Sequence, residues 1–228
     1  MKKVGIVGIT GRIGALLQEL LRDSSELCLG GGVSGASSPA DFAELAENSD
    51  VLVDFSRPAA TVVAAEFASR YGTPLVIGTT GIAPADLEKI REYSRQVPIM
   101  YSANFSLGIQ LMAILLKKCS AVLSDLDFSI VDLHHRYKKD SPSGTALFLA
   151  EQVQQKAQIV SIRSGDVPGD HICDFCGDDE MLTISHRVFN RKVFAGGALK
   201  CALWLTNQKP GVYSMADYLR EKIGDRWS

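Results

Sequence analysis

The stretch MKKVGIVGITGRIGALLQELLRD, residues 1–23, decides the fold of this chain. KKVGIVG is a short apolar run closed by glycine, and RIGALLQELLRD repeats its apolar residues with the spacing of one helical face. Between them, GITGRIG sets Gly8, Gly11 and Gly14 in a tight strand-to-helix connection. In such a connection backbone N–H groups and the positive end of the helix dipole converge on an anion, typically a pyrophosphate. Gly8 permits the turn, Gly11 lets a ligand approach the backbone, and Gly14 lets the helix pack closely on the strand. Thr10 stands where the usual dinucleotide fingerprint has its second glycine, so a purely structural turn is the competing reading.

Working outward, the alternation repeats. ELCLGGGVSG, DVLVDFS, TPLVIGTTG and PIMYSAN read as further strands, separated by the helix-compatible stretches DFAELAENS, PAATVVAAEFASRYG and ADLEKIREYSRQ. Strand–helix–strand units with fully apolar strands predict an α/β fold, a Rossmann-type doubly wound parallel sheet covered on both faces. After Asn104 the pattern changes to a long helix, LGIQLMAILLKKCSAVL, and then strand-like LDFSIVDLHH, IVSIRSG, HICDFC and EMLTISHRVFN. This switch predicts an inserted α+β domain over residues 106–192. Residues 1–105 and 193–228 form the dinucleotide-binding domain, because FAGGALKCALWLTN and YSMADYLREKI return to helical spacing.

Bulk properties exclude several classes. With a formal net charge of −2, the chain has no general field to attract nucleic acid or an anionic membrane surface. No window reaches the roughly 18 consecutive apolar residues of a membrane span, and glycines break the apolar start before it could act as a secretory signal. Five cysteines, an odd number, fit a reducing compartment better than a disulfide framework, so a cytoplasmic protein is expected. Cys173 and Cys176 form a C-x-x-C pair without a second half, and no metal site is expected there.

The chemistry concentrates in LHHRYKKDSPSGTA, residues 133–146. His134 and His135 end an apolar strand, where side chains of consecutive residues face opposite ways. Lys138 follows among other cations, partly offset by Asp140, and SPSGTALFLAEQVQQK reads as a helix capped by Ser141 or Ser143. The start Ser143-Gly144-Thr145 offers free N–H groups and two hydroxyls to a carboxylate or phosphate. An imidazole and an ammonium beside such a cradle suit a small polyanion that must also receive a proton, Lys138 being a donor if its pKa were lowered. By spacing alone, a basic surface loop explains the same residues equally well.

The segment His134-His135-Arg136-Tyr137-Lys138-Lys139-Asp140-Ser141-Pro142-Ser143-Gly144-Thr145-Ala146 resembles the signature of the 4-hydroxy-tetrahydrodipicolinate reductase family of diaminopimelate and lysine synthesis. GITGRIG, VDFSRP (53–58), GTTG (78–81), SANFS (102–106) and FAGGALKCALWL (194–205) extend the resemblance over nearly the whole chain. The resemblance implies that hydride passes from NADPH or NADH to a cyclic dicarboxylate whose ring loses its hydroxyl as water. It implies acid roles for His134 and Lys138, and substrate-carboxylate binding by His135, Lys138, Gly144 and Thr145. Gly8, Ile9, Thr10, Gly11, Arg12 and Ile13 would hold the pyrophosphate. Gly78, Thr79 and Thr80 would line the nicotinamide and ribose, Phe55 and Arg57 the adenosine half, and Ala103, Asn104, Phe105 and Ser106 would complete the cofactor cleft. A homotetramer built through the second domain's sheets is also implied.

Two departures matter. Ser34 occupies the position where an acidic residue usually binds the ribose, leaving NADPH and NADH both open, with Arg12 and Arg57 as cations for a 2′-phosphate. The region 34–50 is also shorter than is usual in the family. Two other functions fit parts of the pattern: a different two-domain NAD(P)H oxidoreductase, and a non-catalytic nucleotide-sensing protein.

Overall fold

A computed structural model describes residues 1–224; the placement of residues 225–228 in the first domain lies outside the described residues. The chain divides into two compact units, one of Met1–Phe105 with the chain from Lys192 onward, the other of Ser106–Arg191.

The first unit runs β1 (Lys2–Val7), α1 (Arg12–Arg22), β2 (Leu27–Val33), α2 (Pro39–Glu47), β3 (Val51–Asp54), α3 (Pro58–Tyr71), β4 (Leu75–Ile77), α4 (Pro84–Tyr93) and β5 (Pro98–Tyr101). The second contains α5 (Leu107–Val122), β6 (Asp127–His134), α6 (Gly144–Ala150), β7 (Gln158–Arg163), β8 (Asp170–Cys176) and β9 (Met181–Arg187). The chain then returns to the first unit with α7 (Lys192–Leu205), β10 (Gly211–Tyr213) and α8 (Met215–Ile223).

All six strands of the first sheet are parallel, in the order β10-β5-β4-β3-β1-β2. Proline in the first turn starts α2, α3 and α4, where its missing N–H has no intrahelical partner to lose. On one sheet face Val7, Leu52, Leu75, Ile77 and Ile99 pack with Phe42, Ala64, Phe67 and Ile90 from these helices. The pleat turns Ile6, Val53, Val76 and Met100 to the opposite face, and these are equally buried. There α7 packs against α1 and runs along β3, β4 and β5. Burial on both faces explains why the strands read as unbroken apolar runs, and the doubly wound α/β class predicted from them is observed. β10 was not foreseen: its three residues are too short to show a period, and pairing with β5 alone makes them a strand.

The second sheet has the order β7-β6-β8-β9, with β6 parallel to β7 and antiparallel to β8, the mixed α+β arrangement expected of an insertion. Its inner face packs Phe128, Ile130, Cys173 and Phe175 against Ile109, Met112 and Leu116 of α5 and Ala146 and Leu149 of α6. The helix expected to run through residue 156 stops at Ala150. Beyond it the chain is captured by α5: Ser120 Oγ accepts Gln154 N–H at 2.8 Å, and Gln155 Nε2 donates to the Leu123 carbonyl at 2.6 Å. The pleat of β8 sends Cys173 inward, where burial pushes its thiol up to about 12, and leaves Cys176 exposed on the other face. Those two sulfurs therefore cannot share an ion.

Candidate active site

In the first unit, the residues singled out for cofactor gather at the carboxyl ends of the parallel strands. Gly8 follows β1, Ser34 follows β2, Phe55 follows β3, Gly78 follows β4 and Ala103 lies just past β5. Successive connections from β1 leave in opposite directions, to β2 on one side and β3 on the other, so a crevice opens at that edge where ligands of such sheets bind.

The loop's geometry depends on having no side chains. Gly8 has φ +90°, and a Cβ there would lie 2.6 Å from the Phe55 carbonyl oxygen. A Cβ on Gly14 would come within 2.3 Å of the Gly8 oxygen, so α1 packs against the loop only because that atom is missing. Gly8 and Ile9 donate N–H to the Val33 carbonyl, and Gln18 Nε2 bonds the Ile9 carbonyl at 3.0 Å. Gly11 caps α1 without any side-chain bond to the helix's first N–H groups, and Thr10 and Arg12 beside it are exposed. Such a helix start fits an anion. In the remaining cofactor set, Arg57 and Thr80 are exposed, whereas Thr79, Phe105 and Ser106 are buried. The Phe105 ring meets Phe55 at a centroid distance of 5.8 Å, and Ser106 Oγ caps α5 through Ile109 N–H and lies 3.2 Å from His186 Nε2.

One residue here was missed. Asp54, wholly buried at the end of β3, accepts hydrogen bonds from Ser56, Thr61 and Thr79, and Thr79 Oγ1 in turn receives Ser56 N–H at 2.8 Å. It thereby joins the VDFS and GTT loops. Burial pushes its carboxyl up, and the three hydroxyl bonds only partly offset this. The signal was a carboxylate directly after the apolar residues of VDFS.

In the second unit the period of β6 puts Asp132 and His134 on its inner face and Leu133 on the other. His134 is buried, while His135, just past the strand, is half-buried. Ser143 rather than Ser141 caps α6, its Oγ accepting Ala146 N–H at 3.1 Å. Lys138 meets an anion rather than its neighbouring cations: its Nζ lies 2.9 Å from Asp140 Oδ1. The Asp140 carboxylate also takes a bond from the Gly144 backbone, and its main-chain carbonyl accepts Arg163 Nη2 at 2.7 Å.

Arg163 leads to the centre of the cluster. Its Nη2 lies 3.0 Å from Asp132 Oδ2, which also accepts Ser143 N–H at 2.9 Å and the Ser161 hydroxyl at 3.1 Å. Asp132 Oδ1 is 2.8 Å from His134 Nδ1 and 3.5 Å from His171 Nε2. Burial would raise Asp132, but the close imidazoles of His134 and His171 and the Ser143 N–H bond outweigh it and hold the carboxyl far below its ordinary range. A continuous polar chain thus links Lys138, Asp140, Arg163, Asp132 and His134. Asp132, Arg163 and His171 lay outside the sequence reading, since each acts through a partner on another strand or helix.

Models named for the amino- and carboxy-terminal parts of dihydrodipicolinate reductase match residues 2–105 and 108–219. The chain belongs to the dihydrodipicolinate reductase family. It is 39% identical over 246 residues to the 4-hydroxy-tetrahydrodipicolinate reductase of Zymomonas mobilis, covering 95% of this chain and 96% of that protein. The Rickettsia bellii enzyme of the same name is 35% identical over 238 residues, covering 96% and 95%. Among solved structures, dipicolinate-bound dihydrodipicolinate reductase from Paenisporosarcina sp. TG-14 shares the fold with a TM-score of 0.80 at 18% identity, over 94% of this chain and 97% of that one. A diaminopimelate dehydrogenase from C. glutamicum follows the same fold more loosely, with a TM-score of 0.59 at 13% identity over 95% and 93%. The first matched range contains Gly8 to Phe105, and the second contains the cluster around Asp132. Among the described residues no helix is long and apolar enough to cross a membrane.

Proposed function

We propose that this chain reduces 4-hydroxy-tetrahydrodipicolinate to tetrahydrodipicolinate with NADPH or NADH, a step of diaminopimelate and lysine synthesis in the cytoplasm. The observation that carries the reading is the match of both halves of the chain to one reductase family. The backbone from Gly8 to Ile13 holds the pyrophosphate at the start of α1, and the loops carrying Phe55, Arg57, Gly78, Thr79, Thr80 and residues 103–106 line the rest of the nucleotide. Bound there, the nicotinamide supplies a hydride.

Everything else falls to the second unit. His135, Lys138, Ser143, Gly144 and Thr145 hold the two carboxylates of the cyclic substrate. Lys138 Nζ, kept close to Asp140, delivers the proton that balances hydride addition, and His134 serves as the second acid. With no carboxylate at Ser34 to repel a 2′-phosphate, NADPH suits the site at least as well as NADH. Val160 and Ile162, exposed on the outer face of the second sheet beside Val131 and Leu133, support assembly into a homotetramer, which sedimentation at micromolar concentration decides.

Consumption of NADPH and of NADH, followed by absorbance with freshly generated substrate, tests the reading. Turnover is expected with at least one nucleotide, and none with either would sink it. Lys138→Ala is expected to lower kcat by about 10²–10⁴ with nucleotide affinity unchanged; full activity in that variant would remove Lys138 from the mechanism.

A further inference from the structure

The acid His134 sits in a frame that its own sequence neighbours do not provide. On the inner face of the second sheet, cross-strand register lines up Ser161 of β7, Asp132 of β6, His171 of β8 and His186 of β9 in one row. Two helix starts close over this row. Ser143, capping α6, lies 3.4 Å from His171 Nε2, and Ser106, capping α5, lies 3.2 Å from His186 Nε2. Asp132 is the one carboxylate in the row, and it has no exposed surface. A buried carboxylate is costly unless it is paired; here Oδ2 is fully hydrogen-bonded and Oδ1 lies at ion-pair distance from two imidazoles.

Its two oxygens face different tasks. Oδ2 holds Ser143 N–H, Ser161 and Arg163, and so fixes the turn that opens α6. Oδ1 faces the imidazoles and meets His134 Nδ1 at ion-pair distance, off the line of an ideal ring N–H bond. The other ring nitrogen, Nε2, lies against Gly169, where a Cβ would come within 2.9 Å of it. Glycine at 169 leaves that nitrogen open while Asp132 occupies the first. The donor atoms of Asp132, His134 and His171 lie within 4.8 Å of one another, close enough for a cation, but Arg163 already supplies the positive charge on this carboxylate.

Resting on the reductase reading, we propose that Asp132 is a positioning residue: it holds the His134 ring with Nδ1–H inward and Nε2 free to work, and ties that ring to the helix start at Ser143. A carboxylate on one imidazole nitrogen selects the tautomer at the other and stabilises the charged ring when it forms.

The test combines heteronuclear NMR of the histidine side chains with kinetics. In the wild-type protein, at a pH where the ring is neutral, His134 is expected as the Nδ1–H tautomer. Asp132→Asn is expected to shift it toward Nε2–H and to lower kcat about 10–100-fold, with the KM for NADPH unchanged. An Nε2–H tautomer in the wild type, or a folded Asp132→Asn protein with kcat within about twofold of wild type, overturns the proposal. If the variant does not fold, the wild-type tautomer alone decides. Absence of any wild-type turnover would strike the reductase reading instead, and the tautomer would still judge Asp132.

Discussion

Asp54 in the first unit and Asp132 in the second are both wholly buried near the end of a strand, yet their surroundings push them in opposite directions. Around Asp54 stand three neutral hydroxyls, whose dipoles do not repay the loss of water, and its carboxyl is raised. Around Asp132 stand a guanidinium, two imidazoles and a backbone N–H, and its carboxyl is depressed. The difference reflects what each unit must do. On the function proposed above, the first would present mostly backbone to an anionic nucleotide, and the second would hold a dicarboxylate and move a proton with charged side chains braced by one another.

Removing the carboxylate should separate the two units most sharply. Asp132→Ala strands Arg163 beside a cavity and is expected to cost about 3–5 kcal/mol in denaturant unfolding, the range for breaking a buried pair. A loss under about 1 kcal/mol would mean that the cluster is not a charge-paired network. Next in size, Gly14→Ala drives a methyl into the Gly8 oxygen; about 1–3 kcal/mol of stability should be lost. Nucleotide affinity should fall with it, while binding of the dicarboxylate proposed above, probed with dipicolinate by calorimetry, stays unchanged. Weakening of both ligands would contradict separate sites built from separate material.

The smallest effect, and the most diagnostic, is in pH. Because Asp132 is depressed in the fold, its stabilisation is complete above the ordinary carboxylate pKa near 3.8 and is lost as pH falls below it. Because Asp54 is raised, its contribution is greatest below that value and is lost as pH rises through its folded pKa. The stability gap between wild type and Asp132→Asn should therefore shrink on acidification. Asp54→Asn, within about 1 kcal/mol of wild type, should instead gain on it as pH rises from acid to neutral. Parallel pH trends for the two variants would erase the contrast.

Much of this was legible from residues read in order. The alternation of apolar strands and helices predicted the doubly wound sheet, and the spacing of Gly8, Gly11 and Gly14 predicted a strand–turn–helix that the loop adopts. The small-residue turn after Pro142 marked the start of α6 with Ser141 or Ser143 as its cap, and the structure selects Ser143. Where reading failed, the deciding partner was distant in sequence. Ser120 and Leu123 end the helical course expected through residue 156, and pairing with β5 makes a strand of Gly211–Tyr213. Asp132 looked like one more residue of a strand, since nothing nearby announces Arg163 or His171.

By itself, the sequence determined the class of most segments and the chemical repertoire of the two candidate sites, because period, turn chemistry and capping act over a few residues. Only the tertiary structure decided which charges meet. The register of β6 with β7 and β8 sets Asp132 opposite Ser161 and His171, and α6 brings Ser143 over it. A carboxylate's charge state depends on the groups within a few ångströms in space, however far along the chain they lie.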